Sequence, residues 1–447
     1  MRAYERLMNY VKVHTTSQDG TGRTPTTERQ LDLARMLAEE MRAMGIADAR
    51  VDGFGYVYGS LPATPGCEKS PAIGWIAHMD TAQAFSGENV KPILHENYDG
   101  GDVALPQCGR VLKTSEFPFL KELKGKTLIT ADGSTLLGAD DKAGIAEILT
   151  ACEQLLQSGA PHGPVKIAFT PDEEVGEGAD HFDVPGFGAA YAYTMDGGEV
   201  GEISYENFNA ASAVFRITGV SVHPGSAKDT MVNALKLACE IDGMLPPREV
   251  PEHTEGREGF FHMDALSGDT AAARLEYIVR DHDREKFEAR KELLRGVEKA
   301  MTEKYPTARV ELALKDSYYN MLEQIRPCMH LIDNAKKACE AAGVQWFEEA
   351  TRGGTDGARL SYMGLPCPNL GTGGHNFHGP YECITAESMD KAVPLSLKIT
   401  AGSPLGLPAS GRAPRARYGQ GRGDHFKYHR AVCGVSGDSL KGAGPFH

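Results

Sequence analysis

Two adjacent carboxylates, Asp140 and Asp141, stand in the small and apolar run from Thr135 to Leu149. A helical pattern follows at once, with Ile145, Ile148, Leu149 and Cys152 spaced three and four apart. One Asp would serve as an N-cap near the positive end of the helix dipole. A second beside it adds repulsion and desolvation, which a cation would neutralise. Comparable groups recur where apolar, strand-like runs end: His78 and Asp80 after Ala72–Ala77, Glu173 and Glu174 after Val165–Phe169, Asp196 after Ala190–Thr194, and His378 far downstream. Nitrogen and carboxylate donors without thiolate suit zinc, cobalt or manganese in an open catalytic site. Two imidazoles and three or more acids are enough for two ions sharing one carboxylate. In that scheme one Asp bridges, one His and one acid complete each ion's set, and a remaining acid takes the proton from water. Asp80, two residues beyond His78 and on the same side of an extended chain, could orient the imidazole.

The elements that must position these groups read as an α/β domain. Helices are expected at 4–13 and 27–44, the second with Leu31, Ala34, Leu37, Ala38 and Met41 on one face and Gly45 as its stop. Residues 51–61 alternate like an antiparallel or edge strand, whereas Ala72–Ala77 is continuously apolar, as in a strand buried on both faces. Residues 82–126 read as a long irregular insertion. With a helix after Asp141 between strands, the order is β-α-β, which implies a three-layer, largely parallel sheet. Polar groups at the carboxyl ends of such strands lie where open α/β sheets bind ligands.

From residue 207 the rhythm changes. Strand 211–220, helix 231–244, strands 258–266 and 274–281, helix 283–304 and strand 309–315 follow the β-α-β-β-α-β order of a ferredoxin-like α+β domain. The expected division is a catalytic domain from 1–206 and 319–401, an inserted lid or dimerisation domain at 207–318, and a tail at 402–447. The resumed catalytic part should hold a helix at 327–342, the glycine-rich Thr351–Gly357 and a last helix from near Ala386. The tail is rich in Gly, Pro, Ser and Arg, a composition that predicts disorder.

The net charge of -14 over 447 residues argues against a nucleic-acid surface, which needs a basic stripe. No run approaches the ~20 apolar residues of a membrane span, so no membrane partner is expected. Nine scattered cysteines without a C-x-x-C pair read as reduced thiols of a cytoplasmic protein, and the N-terminus lacks an apolar signal core.

The runs His78–Thr81, Leu137–Gly144, Thr170–Gly176, Asp196–Gly198, Val222–Lys228, Arg352–Gly357 and Phe377–Gly379 resemble, in order over about residues 1–400, the peptidase T family. These are bacterial tripeptide aminopeptidases within the two-metal exopeptidase superfamily. The resemblance implies release of the N-terminal residue from tripeptides with two divalent ions, zinc first and cobalt or manganese as alternatives. It implies His78 and Asp196 on one ion, Glu174 and His378 on the other, Asp140 between them and a cis peptide after Asp140. Glu173 would be the general base and Asp80 the orienter of His78. His223, on the inserted domain, would stabilise the oxyanion, often from a partner subunit, which implies a homodimer through the lid. Asn233, Arg280 and Arg352 would contact substrate, Arg being suited to a peptide carboxylate.

Dipeptidases, carboxypeptidases and deacylases share the scaffold and are the rival activities. A non-catalytic peptide-binding module would lack a ligand or the base, and none is missing. Two positions depart from the family. His375 stands where an aromatic is usual, so two candidate imidazoles lie three residues apart, of which His378 holds the family's His-Gly position. Pro394 and Gly402-Ser403-Pro404 should interrupt the long terminal helix, and the basic tail with Arg412, Arg415, Arg417 and Arg422 has the character of a disordered addition or a frame artefact.

Overall fold

The apolar run Ile73–His78 is buried at all of its positions and forms the middle of the larger sheet. It pairs in parallel with Val165–Thr170 on one side and Tyr191–Gly197 on the other. The computed structural model describes residues 1–402, and within them this sheet has eight strands. Their order is Arg50–Val51, Val57–Leu61, Val165–Thr170, Ile73–His78, Tyr191–Gly197, Asn369–Gly371, Glu202–Asn207 and Phe347–Thr351. The four central strands run parallel, and antiparallel pairs appear toward both edges, so the sheet is mixed.

Alternation along Ile73–His78 feeds two cores, as the two-residue period of a strand requires. Ile73, Trp75 and Ala77 meet Leu33, Leu37, Ile145, Leu149 and Ile399. Ile76 faces the other way, toward Tyr56, Phe182, Phe187 and Leu360. Both faces are therefore covered, which makes the three layers. Helix Ala139–Ser158 packs on the central strand between helices Ala3–Tyr10 and Ala386–Gly402. Gly144 allows that approach, since a Cβ there would lie 2.1 Å from the Met195 carbonyl oxygen.

A second sheet is wholly antiparallel, in the order Phe260–Gly268, Ala272–Asp281, Asn209–Thr218, Arg309–Tyr318. Helices Ala234–Gly243 and Arg284–Lys304 cover it through a core of its own that includes Phe215, Leu275, Phe287 and Leu294. With its chain order this is the expected ferredoxin-like lid.

The stretch read as an irregular insertion is more ordered than its sequence suggests. Ile93–His95 and Leu128–Thr130 join Cys383–Thr385 and Gly374–His375 in a four-stranded sheet. Tyr98, Leu105, Leu112, Leu120 and Leu123 supply its core. Pro394 does not interrupt the last helix either, because Ala386–Gly402 runs through it. A proline inside a helix removes one hydrogen bond and crowds the preceding turn. Here Met389, Ala392, Val393, Leu395 and Ile399 are all buried on both sides of it, and that packing outweighs the local cost. The tail expected to be disordered lies, from residue 403 onward, outside the described residues. Among those described, eight cysteines are free thiols and no helix is long and apolar enough to cross a membrane.

Packing beyond Pro394 sets a test. Leu395→Ala should lower stability by about 2–5 kcal/mol in a urea titration, as for other fully buried leucines. A variant as stable as the parent would mean that the helix contributes nothing after the proline.

Candidate metal centre

Sheet topology brings the strand-end groups to one edge. His78 closes Ile73–His78, Asp196 lies in the end of Tyr191–Gly197, and Glu173 and Glu174 form a short 3-10 turn just after Val165–Thr170. Asp140 enters at the start of helix Ala139–Ser158, before a cis peptide to Asp141. The loop between Gly374–His375 and Cys383–Thr385 delivers His378, whose backbone sits in the left-handed region at φ 65°. That conformation is unfavourable for a side chain with a Cβ, and the small sheet on either side of the loop holds it.

The side chains converge on Asp140. His78 Nε2 lies 2.9 Å from one Asp140 oxygen and His378 Nε2 lies 2.9 Å from the other. Asp196 is 3.4 Å from His78 Nε2, and Glu174 is 2.9 Å from His378 Nε2. Glu173 stands further back, 4.0 Å from His78 Nε2. Among the described residues, two sets of donors are close enough to hold an ion: His78 with Asp140 and Glu174, and His78 with Asp141 and Asp196. Asp141, however, accepts from the His78 and Gly144 amides through its two oxygens, so its carboxylate is already committed to the framework.

Buried carboxylates also hold the surrounding turns. Asp80 is fully buried; its oxygens accept from the Glu173 and Glu174 amides at 3.0 and 3.1 Å, and one lies 3.4 Å from His78 Nδ1. His78 Nδ1 is also 3.1 Å from the Asp80 carbonyl oxygen. Asp172 accepts from the Thr26 amide at 2.8 Å and from Gln30 Nε2 at 2.6 Å, tying the N-terminal segment to the same turn. Asp356 accepts from the Thr170 hydroxyl at 2.7 Å. Glu382, 1% exposed, accepts from three amides of the loop that leads into Asp140.

Burial opposes ionisation of Asp140, but the hydrogen bonds to His378 and His78 outweigh it and hold its carboxyl well below the usual range. Burial works the other way on its neighbours. It raises Glu173 far above an ordinary Glu, with Asp196 adding to the effect, and it raises Glu174 and Asp196 as well. Both imidazoles are desolvated, yet the surrounding carboxylates keep them protonated more strongly than usual, His378 up to about 10. Four acids around two imidazoles in a buried edge therefore fit divalent cations, which would relieve the mutual repulsion and take the place of protons on the ring nitrogens.

A cavity of about 390 Å³ opens at this cluster, lined by Asp140, Glu173 and His378 together with Arg280, Tyr318 and Arg352. Arg352 there donates to the Gly256 carbonyl at 2.6 Å and to the Thr254 hydroxyl at 3.1 Å. His223 and Asn233 do not line the cavity. His223 is exposed, and its Nδ1 accepts from the Gly225 amide at 3.1 Å; Asn233 caps helix Ala234–Gly243 through the amides of Leu235 and Lys236. His375 stacks on Phe119 with ring centres 4.2 Å apart, and burial lowers it to about 4. Asp172, Asp356 and Glu382 were not legible as site residues. Asp172 and Asp356 lie inside the runs 170–176 and 352–357 without a role of their own, and the signal at Glu382 is an acid set between Tyr381 and Cys383-Ile384.

Residues 135–400 match peptidase family M20/M25/M40. The chain belongs to that family. It is 52% identical over 400 residues to a peptidase T from Halothermothrix orenii, a match that covers 89% of this chain and 98% of the relative, and it groups with the peptidase T proteins. An aminopeptidase from Bacillus cereus has the same fold, with a TM-score of 0.72 at 22% identity over 90% of this chain and 97% of that one. A tripeptidase from Staphylococcus aureus gives a TM-score of 0.72 at 21% identity over 90% and 98% of the two chains.

The protonation pattern has a measurable sign in metal-free protein. His378, held up to about 10, contributes stability that is complete below the ordinary imidazole value of 6.5 and is lost as pH rises through its folded value. Asp172 and Asp356, raised by burial from 3.8 to about 7, favour the neutral acid in the folded state, so they too reduce stability as pH climbs to that value. Chelated protein should therefore melt at a lower temperature at about pH 9 than at about pH 6, and added zinc should flatten the slope. A melting temperature that rises across this window contradicts the assignment.

Proposed function

We propose that the protein is a metal-dependent aminopeptidase that releases the N-terminal residue of tripeptides, with two divalent ions at the Asp140 cluster. The observation that carries this reading is the Asp140 carboxylate set 2.9 Å from each of two imidazoles. His78 and Asp196 would hold one ion, Glu174 and His378 the other, with Asp140 shared. Zinc suits this donor set, and cobalt or manganese would also be accepted. When bound, the ions would supply Lewis-acid polarisation of the scissile carbonyl and acidify the attacking water.

The chain's own groups do the rest. Glu173 lines the cavity and stands 4.0 Å from His78 Nε2, further from that ring than Asp140 and Asp196, which suits a base that receives the water's proton and returns it to the leaving amine. Its raised affinity for a proton supports that role. Asp80 fixes the His78 ring and, through two amides, the turn that carries Glu173 and Glu174. Arg280 and Arg352, which line the same cavity, would bind the peptide's carboxylate and so limit substrate length. His223 is exposed on the lid, which fits a role completed across a homodimer. Free thiols support a cytoplasmic setting for the short-peptide substrates.

A panel of di-, tri- and tetrapeptides tests the substrate class. Tripeptides should be cleaved fastest at the first bond, whereas preference for dipeptides, C-terminal release or N-acyl substrates would assign a different activity to the same scaffold. In the same assay Glu173→Ala should lose ~10²–10⁴-fold in turnover while keeping both ions, because a base is removed without a ligand. Loss of a metal equivalent in that variant would exchange the roles of Glu173 and Glu174. His223→Ala should reduce turnover by ~10²–10³-fold at unchanged metal content. Unimpaired turnover would leave the residue a structural cap.

A further inference from the structure

Helix Ala139–Ser158 opens on an irregular turn, and the cap that Asp141 provides by accepting from the Gly144 amide at 3.2 Å does not reach the amides before Asp141. Gly138 at its N-cap has no side chain to offer, and Asp140 and Asp141 have non-helical backbone angles. The amides at such a start need acceptors, and in a buried position water cannot supply them. Glu382 supplies them from elsewhere in the chain. One of its oxygens accepts from Leu137 at 2.8 Å and Gly138 at 2.9 Å, and the other accepts from Asp140 itself at 3.0 Å. Glu382 is also four residues beyond His378, in the loop that the small sheet presents. One carboxylate thus fastens the loop carrying Asp140 to the loop carrying His378.

We propose that Glu382 is a positioning residue whose carboxylate sets the separation of Asp140 and His378 and thereby the affinity of the site for its second ion. The inference rests on the two-ion reading given above. A cap that served stability alone would need any acceptor near any of these amides. Here the grip includes the amide of the one residue whose carboxylate touches both imidazoles, so a shift of the 137–140 segment moves the shared ligand away from His378. Gln at this position would keep one accepting oxygen but turn an NH2 toward amide donors. Asp would keep the charge and fall short by one methylene.

Zinc titration of chelated protein by calorimetry, with melting of the same chelated samples, tests this. The parent should take up two equivalents. Glu382→Gln should bind the second equivalent about 10–100-fold more weakly, the usual effect of losing a partner behind a metal ligand, and its chelated form should melt below the parent, because the new NH2 faces buried amide donors. If Glu382→Gln does not fold, Glu382→Asp is read in its place, and the same weakening is expected. Parent-like affinity for both equivalents in the folded variant overturns the proposal, and so does a lowered melting temperature with unchanged zinc affinity. A parent that binds only one equivalent would overturn the two-ion reading on which the proposal stands, a result visible without any variant.

Discussion

The Asp140 carboxylate, held between imidazoles that are 62 and 238 residues away in the chain, is the contact on which the rest of the arrangement depends. A strand end fixes a side chain in one direction, and the three parallel strands that end at this edge fix His78, the Glu173–Glu174 turn and Asp196 together. None of them brings His378. That group comes from a separate small sheet, and the 82–126 stretch is a platform for its loop, supplying one strand of that sheet and much of the core against which Tyr381 packs. The platform is therefore part of the site, although it contributes no side chain to the cluster.

Much of the precision comes from carboxylates that never face the cavity as ligands. Burying a charge is costly unless it is hydrogen-bonded, and backbone amides at turns need acceptors where water is excluded. Asp80, Asp141 and Glu382 meet both needs at once, each accepting from backbone amides of a segment that carries a site residue, and Asp172, next to Glu173, ties its turn to the Thr26 amide. The edge of the sheet is consequently dense in acid. The same density that organises the loops raises the proton affinity of Glu173, Glu174 and Asp196 and makes the edge receptive to cations.

The strand-end acids were legible in the sequence because each follows an apolar run, and a parallel sheet aligns the ends of such runs. The lid was legible from its order of two helices among four long strands, each spanning enough residues for a period to show. The small sheet was not, since Ile93–His95, Cys383–Thr385 and Gly374–His375 are two or three residues long and offer no period. Pro394 misled for a different reason: local propensity ends a helix there, and burial on both sides of it overrides propensity. Spacing alone left His375 and His378 equivalent. Tertiary contact separates them, placing one ring on Phe119 and the other against Asp140 and Glu174.

The central claim is that one carboxylate serves two ions, each paired with its own imidazole. Anomalous diffraction from crystals of the zinc-loaded protein, collected on both sides of the zinc edge, measures this directly. The account predicts two zinc peaks flanking the Asp140 carboxylate, one beside His78 and Asp196 and the other beside His378 and Glu174. A single peak, or a second peak beside His375 and away from Asp140, would contradict it.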